Sequence, residues 1–336
     1  MEDERSFEER LALFRKMMDE SERIAFFGGA GVSTESGIPD FRSPDGLYSE
    51  KNAKNPKNAK FARYEPEYLL SRECLYHNPK VFFSFYRSKM DFRRARPNPA
   101  HEVLAELERS GKRVDVVTQN VDGLHQKAGS ERVHEVHGTT RKCSCTKCGR
   151  RFDGNLIFES WEEIPKCPVC GGMLRPDVTL YGEVLPKDAV NDGSMAIYEA
   201  DLLVIAGTSL TVEPAASMVG GFRGKYVVVI NRTPLEGRLG RESVENAADL
   251  IFREPVGEVL DALLRKPDEP TETESPKEPE TPKDAIEPKT PEKPEESETT
   301  KTPEKAESSE ATERAKESKE SESPGRSDEM EEERNG

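Results

Sequence analysis

Residues 24 to 37 read Ile24-Ala25-Phe26-Phe27-Gly28-Gly29-Ala30-Gly31-Val32-Ser33-Thr34-Glu35-Ser36-Gly37, and this stretch decides the fold. A short apolar run enters a glycine loop, the pattern of a buried strand that stops where backbones approach closely. Upstream, Ser6 and Glu9 are spaced as a capping box, and Phe7, Leu11, Phe14 and Met18 recur at helical spacing, so an amphipathic helix leads into the strand. Downstream, similar apolar runs stand at Val114-Asp115-Val116-Val117, Leu202-Leu203-Val204-Ile205, Val227-Val228-Val229-Ile230 and, more weakly, Leu250-Ile251-Phe252. Helix-like segments over 100–110, 187–200 and 256–265 separate them. Buried strands alternating with helices predict an α/β fold: a Rossmann-like parallel sheet with helices on both faces.

Two stretches break that rhythm. Residues 42–98 are rich in Asn, Lys, Arg, Tyr and Phe, with helix-like pieces near 66–72 and 79–91, and residues 138–180 hold five of the six Cys. Both read as insertions that build a smaller domain. The expected organisation is a large domain over 1–41, 99–137 and 185–265, a helical insertion over 42–98 and a zinc-ribbon module over 138–184, followed by a tail, 266–336.

The tail explains the charge. Of the 336 residues, 50 are Lys or Arg and 65 Asp or Glu, a net −15; residues 266–336 hold 12 basic and 24 acidic residues and ten Pro, leaving residues 1–265 at −3. So polar a segment has too little apolar surface to offset the entropy of ordering, and it is expected to be disordered and extended, with a degenerate Thr-Pro repeat at Thr281, Thr290 and Thr302 as a docking or phosphorylation alternative. A body near neutrality argues against a broad nucleic-acid surface. The start of the chain carries no basic-then-apolar leader and no apolar run approaches the length of a bilayer, so an intracellular, cytoplasmic protein that does not engage membranes is expected, its Cys reduced or metal-bound.

Cys145-x-x-Cys148 and Cys167-x-x-Cys170 are separated by 18 residues, the spacing of two knuckles presenting four thiolates to one structural Zn²⁺. Four Cys ligands leave no open coordination position, so the metal is expected to hold the module together. Cys143 lies near the first pair and could compete; equal spacing on both sides favours Cys145. His137 ends an apparent strand over 132–136, just before Gly138, where it can enter a cleft as a general base or serve structure alone. His134, three positions earlier, falls on the opposite strand face, which disfavours a two-His metal pair.

Extended to Ile38-Pro39-Asp40-Phe41-Arg42-Ser43, the glycine loop resembles the signature of the sirtuins, NAD-dependent protein lysine deacylases. Further matches follow in order: Thr118-Gln119-Asn120-Val121-Asp122-Gly123-Leu124-His125, His137-Gly138, the four Cys, Arg175-Pro176-Asp177-Val178-Thr179-Leu180-Tyr181-Gly182-Glu183, Gly207-Thr208-Ser209-Leu210 and Ile230-Asn231. The resemblance spans about residues 7–265 and omits the tail. It implies a transferase reaction in which acyl-lysine and NAD yield free lysine, nicotinamide and O-acyl-ADP-ribose, with acylated-lysine proteins as substrates. His137 would be the base, and Gln119 and Asn120 would orient ribose and water. Asp122 with Ile38 would hold the nicotinamide carboxamide. Gly29, Ala30, Gly31, Ser33, Asp40, Phe41 and Arg42 would form the cofactor loop, and Gly207, Thr208, Ser209 and Asn231 the adenosine end. Val178, Tyr181, Gly182, Glu183 and Val184 would belong to a segment that pairs with substrate as an added strand; Tyr181 stands where Phe is usual and Thr179 where Val is common. Tyr86-x-x-Lys89 only partly matches the Tyr-x-x-Arg of desuccinylating members, so Tyr86 is a weak acyl-pocket candidate and uncharged acyl groups are favoured.

Protein mono-ADP-ribosyl transfer shares the cofactor and the first cleavage. A non-catalytic NAD or zinc interaction module is the reading from a different class. An ordinary dehydrogenase is disfavoured because the loop departs from Gly-x-Gly-x-x-Gly. The motifs end before the tail, so a chain ending near Arg265 is expected to retain its activity on acyl-peptides; a strong loss in a steady-state assay would give the tail a part in catalysis or stability.

Overall fold

The structure, a computed structural model, describes residues 5–40, 46 and 60–265. The readings made for the tail, and for Phe41 and Arg42, lie outside the described residues.

Helix α1 (Phe7–Asp19) starts at the capping box: Ser6 Oγ accepts from the Glu9 amide at 3.3 Å, and the Glu9 carboxylate accepts from the Ser6 amide at 2.8 Å. Caps of this kind contribute about 1 kcal/mol. Strand β1 (Arg23–Gly28) runs into a 3₁₀ turn over Ala30–Ser36. Three short helices follow, α2 (Pro66–Leu69), α3 (Arg72–His77) and α4 (Pro79–Lys89). The chain returns to the large sheet through α5 (Pro99–Arg109), β2 (Arg113–Thr118), α6 (Leu124–Ala128) and β3 (Val133–Glu135). The cysteine-rich part is β4 (Gly138–Cys145), β5 (Arg151–Asp153), α7 (Asn155–Glu159) and β6 (Leu174–Val178). Last come α8 (Lys187–Glu199), β7 (Leu202–Ala206), β8 (Tyr226–Ile230), the small hairpin β9 (Arg238–Leu239) and β10 (Glu242–Ser243), α9 (Val244–Ala247), β11 (Leu250–Phe252) and α10 (Val256–Leu264).

The main sheet has the order β11-β8-β7-β1-β2-β3, and every pairing is parallel. Side chains alternate between its faces. Ile24, Phe26, Val114, Val116, Leu202 and Val204 pack with residues of α1, α5 and α10 on one face; Ala25, Phe27, Val117, Leu203 and Ile205 pack with residues of α8 on the other. Because β1 is flanked by β2 and β7, the strand order reverses there, and in open parallel sheets such a switch point is where a crevice forms at the carboxyl ends of the strands. A second, antiparallel sheet, β5-β4-β6, shares an apolar core with α2, α3 and α4, built on Leu75, Phe82, Phe83, Cys143, Ile157 and Leu174. No helix among the described residues is long and apolar enough to cross a membrane.

Where α5 meets α6, two buried imidazoles face each other: the rings of His101 and His125 are 4.6 Å apart, and Phe26 lies 6.0 Å from His125. His101 Nδ1 completes a capping box with Asn98, while His101 Nε2 and both nitrogens of His125 have no hydrogen-bond partner among the described residues. Burial disfavours the charged ring, holding His101 down at about 4 from an ordinary 6.5 and His125 well below its usual range. The folded chain therefore keeps these rings neutral while the unfolded chain takes up protons below about pH 6.5. Stability is full above that pH and is expected to fall as pH drops toward 4, by about 3 kcal/mol for His101 alone. His101→Gln retains a capping acceptor and removes the proton site, so its Tm should fall less steeply than wild type between pH 6.5 and 4.5.

Candidate active site and metal centre

The glycine loop is seated on the loop that follows β7. Gly29 and Gly31 donate their amides to the carbonyls of Ala206 and Gly207, at 3.2 and 2.8 Å. A Cβ on Gly31 would lie 2.7 Å from Gly207 Cα, and one on Gly207, whose φ is +58°, would lie 2.5 Å from the Val32 amide. These glycines therefore let two protein loops touch, which any side chain at either position would prevent. Two further bonds fix the turn: buried Asn98 donates from Nδ2 to the Val32 carbonyl at 2.8 Å, and the Gly257 amide of α10 donates to Glu35 at 3.0 Å.

From this turn a chain of polar groups crosses to the end of β2. Ser33 Oγ donates to Asp122 Oδ2 at 2.8 Å and accepts from Asn120 Nδ2 at 3.0 Å. Asp122 Oδ1 accepts from the Leu124 amide at 2.8 Å, and the Asn120 amide donates to Thr118 Oγ1 at 3.0 Å. Burial pushes the Asp122 carboxyl up; the Leu124 amide, the Ser33 hydroxyl and the charge of Arg141 oppose it. Gln119 reaches the other side of the crevice, its Nε2 lying 3.4 Å from Thr208 Oγ1, which also accepts from the Leu210 amide. Ile38 is half-buried and donates its amide to the Ser33 carbonyl at 3.3 Å; Ala30 opens the turn, and Asp40 is half-buried at its far end.

His137 sits between β3 and β4 with Nδ1 3.0 Å from the Gln119 carbonyl oxygen. A carbonyl only accepts, so Nδ1 carries the proton and Nε2 of the neutral ring keeps a lone pair. Burial lowers the pKa of the ring, and the bond to Gln119 only partly offsets this. The neutral ring required of a base is thus the prevailing form at neutral pH. His134 instead faces Asp115, with Nε2 3.1 Å from Oδ1, away from His137.

The predicted substrate segment divides. Val178 is buried in the small core, and Gly138, at φ +77°, lets β4 pass so close to β6 that a Cβ there would meet the Asp177 carbonyl at 2.1 Å. The Glu183 carboxylate is engaged within the protein, accepting from Arg175 at 2.6 and 2.9 Å and from the Leu180 amide at 3.0 Å. Tyr181 uses its amide and carbonyl on Leu70 and Arg72. What remains exposed is Gly182, the Tyr181 ring and Val184, which is 85% exposed. Tyr86 departs furthest from the sequence reading. It is fully buried, stacked on Phe82 and Phe158 at 5.7 and 5.4 Å, and burial raises its pKa; it is a core residue of the helical insertion and presents no face to an acyl chain.

At the far side of the crevice, Ser209 Oγ is 2.8 Å from Thr211 Oγ1, and Asn231 is buried at the end of β8 with Nδ2 donating to the Thr233 carbonyl at 2.7 Å. Asn98 and Arg141 were missed by sequence reasoning. Asn-Pro before a helix signals a cap, but nothing in the chain reveals that the same amide spans 66 residues to hold Val32.

The sulfurs of Cys145, Cys148, Cys167 and Cys170 all lie within 4.8 Å of one another, with 3.5 Å between Cys145 and Cys170 and 3.8 Å between Cys148 and Cys167. Thiolates about 2.3 Å from a tetrahedral Zn²⁺ are about 3.8 Å apart, so the donor set fits that ion. The Lys147 and Cys148 amides point at Cys145 Sγ. Cys143 is turned away, donating to the Asp153 carbonyl at 3.3 Å, and burial pushes its thiol up to about 12. Cys148→Ser, or stripping with a strong chelator, should unfold the β4–β6 module and loosen the His137–Thr179 bond, read as lost activity together with raised proteolysis confined to residues 138–184.

The Sir2 family profile matches residues 29–214. An NAD-dependent protein deacetylase of Clostridium acetobutylicum is 45% identical over 240 residues, covering 71% of this chain and 92% of the relative. Another, from Cutibacterium acnes, is 44% identical over 237 residues, 70% and 90% of the two chains. A solved structure described as a Sir2 homolog–NAD complex shares 36% identity at a TM-score of 0.64, over 75% of this chain and 91% of that one. A Sir2–p53 peptide–NAD+ complex shares 30% at 0.60, over 74% and 95%. With its parallel sheet, its four-cysteine centre and His137 at the crevice between them, this chain belongs to the Sir2 family.

Proposed function

We propose that this chain is an NAD-dependent protein lysine deacetylase. The observation that carries the reading is His137, held neutral with Nε2 as its free lone pair, beside the Asn120–Ser33–Asp122 chain at the carboxyl ends of the parallel strands. NAD, when bound, supplies the ribose carbon that releases nicotinamide and the hydroxyl that takes the acyl group, giving free lysine and O-acyl-ADP-ribose. The chain's own residues supply position and proton transfer. Nε2 of His137 takes the proton of a ribose hydroxyl, and the Gln119 carbonyl stabilises the imidazolium that results. Asn120 and Gln119 orient the sugar, Asp122 with Ile38 holds the carboxamide of the leaving base, and Thr208, Ser209 and Asn231 lie at the adenosine end. The exposed main chain around Gly182 and Val184 is where an acylated-lysine peptide adds as a strand. Zn²⁺ in Cys145, Cys148, Cys167 and Cys170 fixes β4 and β6, and takes no part in the proton transfer. A thiolate set of this kind suits a reducing compartment, in keeping with a cytoplasmic protein.

The test is His137→Ala on an acetylated peptide, with products identified by mass. A general base contributes about 10²–10⁴-fold, so deacetylation and nicotinamide release should fall by at least about 100-fold with NAD binding retained. Unchanged turnover would sink the assignment. Gain of ADP-ribose mass on the peptide, in place of acyl loss, would mark a transferase of the other kind.

A further inference from the structure

We infer that Arg141 is a positioning residue that seats the loop carrying Asp122, and through it sets how tightly the nicotinamide end of the cofactor is held. The inference rests on the reading of Asp122 given above. Gly123, the next residue, has φ +74°, and a Cβ built there would lie 2.5 Å from Arg141 Cδ and 2.8 Å from its Nε. The stem of Arg141 therefore lies directly on the loop. Its guanidinium reaches the other way, donating from Nη2 to Glu135 Oε2 at 3.0 Å and from Nε to Thr139 Oγ1 at 3.3 Å. Glu135 and Thr139 stand two residues before and two after His137. One side chain thus spans the Asp122 loop and the segment that presents the base.

The groups facing Asp122 are the Ser33 hydroxyl from the 3₁₀ turn, the Leu124 amide from α6 and the charge of Arg141 from β4. Behind the loop a cavity of about 420 Å³ is lined by Asp122, Gly123 and Arg141, together with Arg93, Lys127 and Glu159. The other two cations there are engaged elsewhere: Arg93 pairs with Asp91 and Glu159, and Lys127 donates to the Ala95 carbonyl. Arg141 is itself paired with Glu135, yet of the three it is the one whose charge favours an ionised Asp122 against its burial. Only the carboxylate offers both oxygens as acceptors to an amide N–H, so losing that charge weakens the grip on a carboxamide.

The experiment compares Arg141→Gln, Arg141→Lys and Glu135→Gln in the full chain, measuring KM for NAD, kcat, inhibition by added nicotinamide, and the pH profile. Arg141→Gln should raise KM for NAD and the nicotinamide inhibition constant about 3- to 10-fold, change kcat less than about twofold, and move the acid limb of kcat/KM to higher pH. Arg141→Lys should restore much of this. Glu135→Gln leaves the arginine charge in place and should leave the inhibition constant unchanged. In wild type, raising salt should weaken inhibition by the uncharged nicotinamide, and in Arg141→Gln it should not; the wild-type half of this test holds even if a variant fails to fold. If Arg141→Gln and Glu135→Gln shift the constants alike, Arg141 is only a strap between β3 and β4 and the inference falls. Unmoved constants, or salt-independent inhibition in wild type, also overturn it. If Asp122→Asn leaves nicotinamide inhibition intact, the reading of Asp122 itself is wrong, and the inference goes with it.

Discussion

The seating of Gly31 on Gly207 is the contact on which the site depends. Parallel pairing of β1 with β7 brings the two strand ends level, Gly28 opposite Ala206, and the following loops then compete for the same space. A single added carbon on either glycine would overlap main chain. With the loops interlocked, the 3₁₀ turn has one orientation, Ser33 points at Asp122, and Asn98 at the cap of α5 and the Gly257 amide of α10 lock the turn through Val32 and Glu35. The polar chain at the crevice is thus a consequence of backbone packing, and its side chains need little further restraint to be pre-organised.

The second half of the site is held by a different kind of force. β4 and β6 belong to a small module whose apolar core is shared with α2, α3 and α4, and whose outer end consists of two cysteine knuckles. A structural metal there substitutes for apolar core that so short a module cannot supply. Its reach extends to the base, because Gly138 begins β4 and the Thr179 amide donates to the His137 carbonyl at 2.8 Å. His137 is accordingly tied to the large sheet through Gln119 and to the small module through Thr179.

Several buried polar groups show the same economy. Glu183 holds its own loop through Arg175, and Asn231 turns its amide onto Thr233. Their immediate partners are protein, and they hold the main chain around them in shape. Tyr86 is the limiting case: α4 turns it wholly into the core, where its ring fills space between Phe82 and Phe158.

The elements themselves were legible from local pattern. The apolar runs ending at Phe27, Val117, Ile205, Ile230 and Phe252 are strands, the Ser6–Glu9 cap starts a helix, and the two Cys-x-x-Cys pairs converge; each depends on residues within a few positions of one another, or on a spacing that a metal imposes. The tertiary structure decided what distance along the chain conceals: that Asn98 holds Val32, that Cys143 faces Asp153 and not the metal set, that Glu183 is occupied, that Tyr86 is core, and that Arg141 lies across Gly123. These follow from which elements pack together and how closely. A residue's chemistry is written in its side chain, but whether that side chain meets solvent, ligand or core depends on the neighbours that folding brings to it.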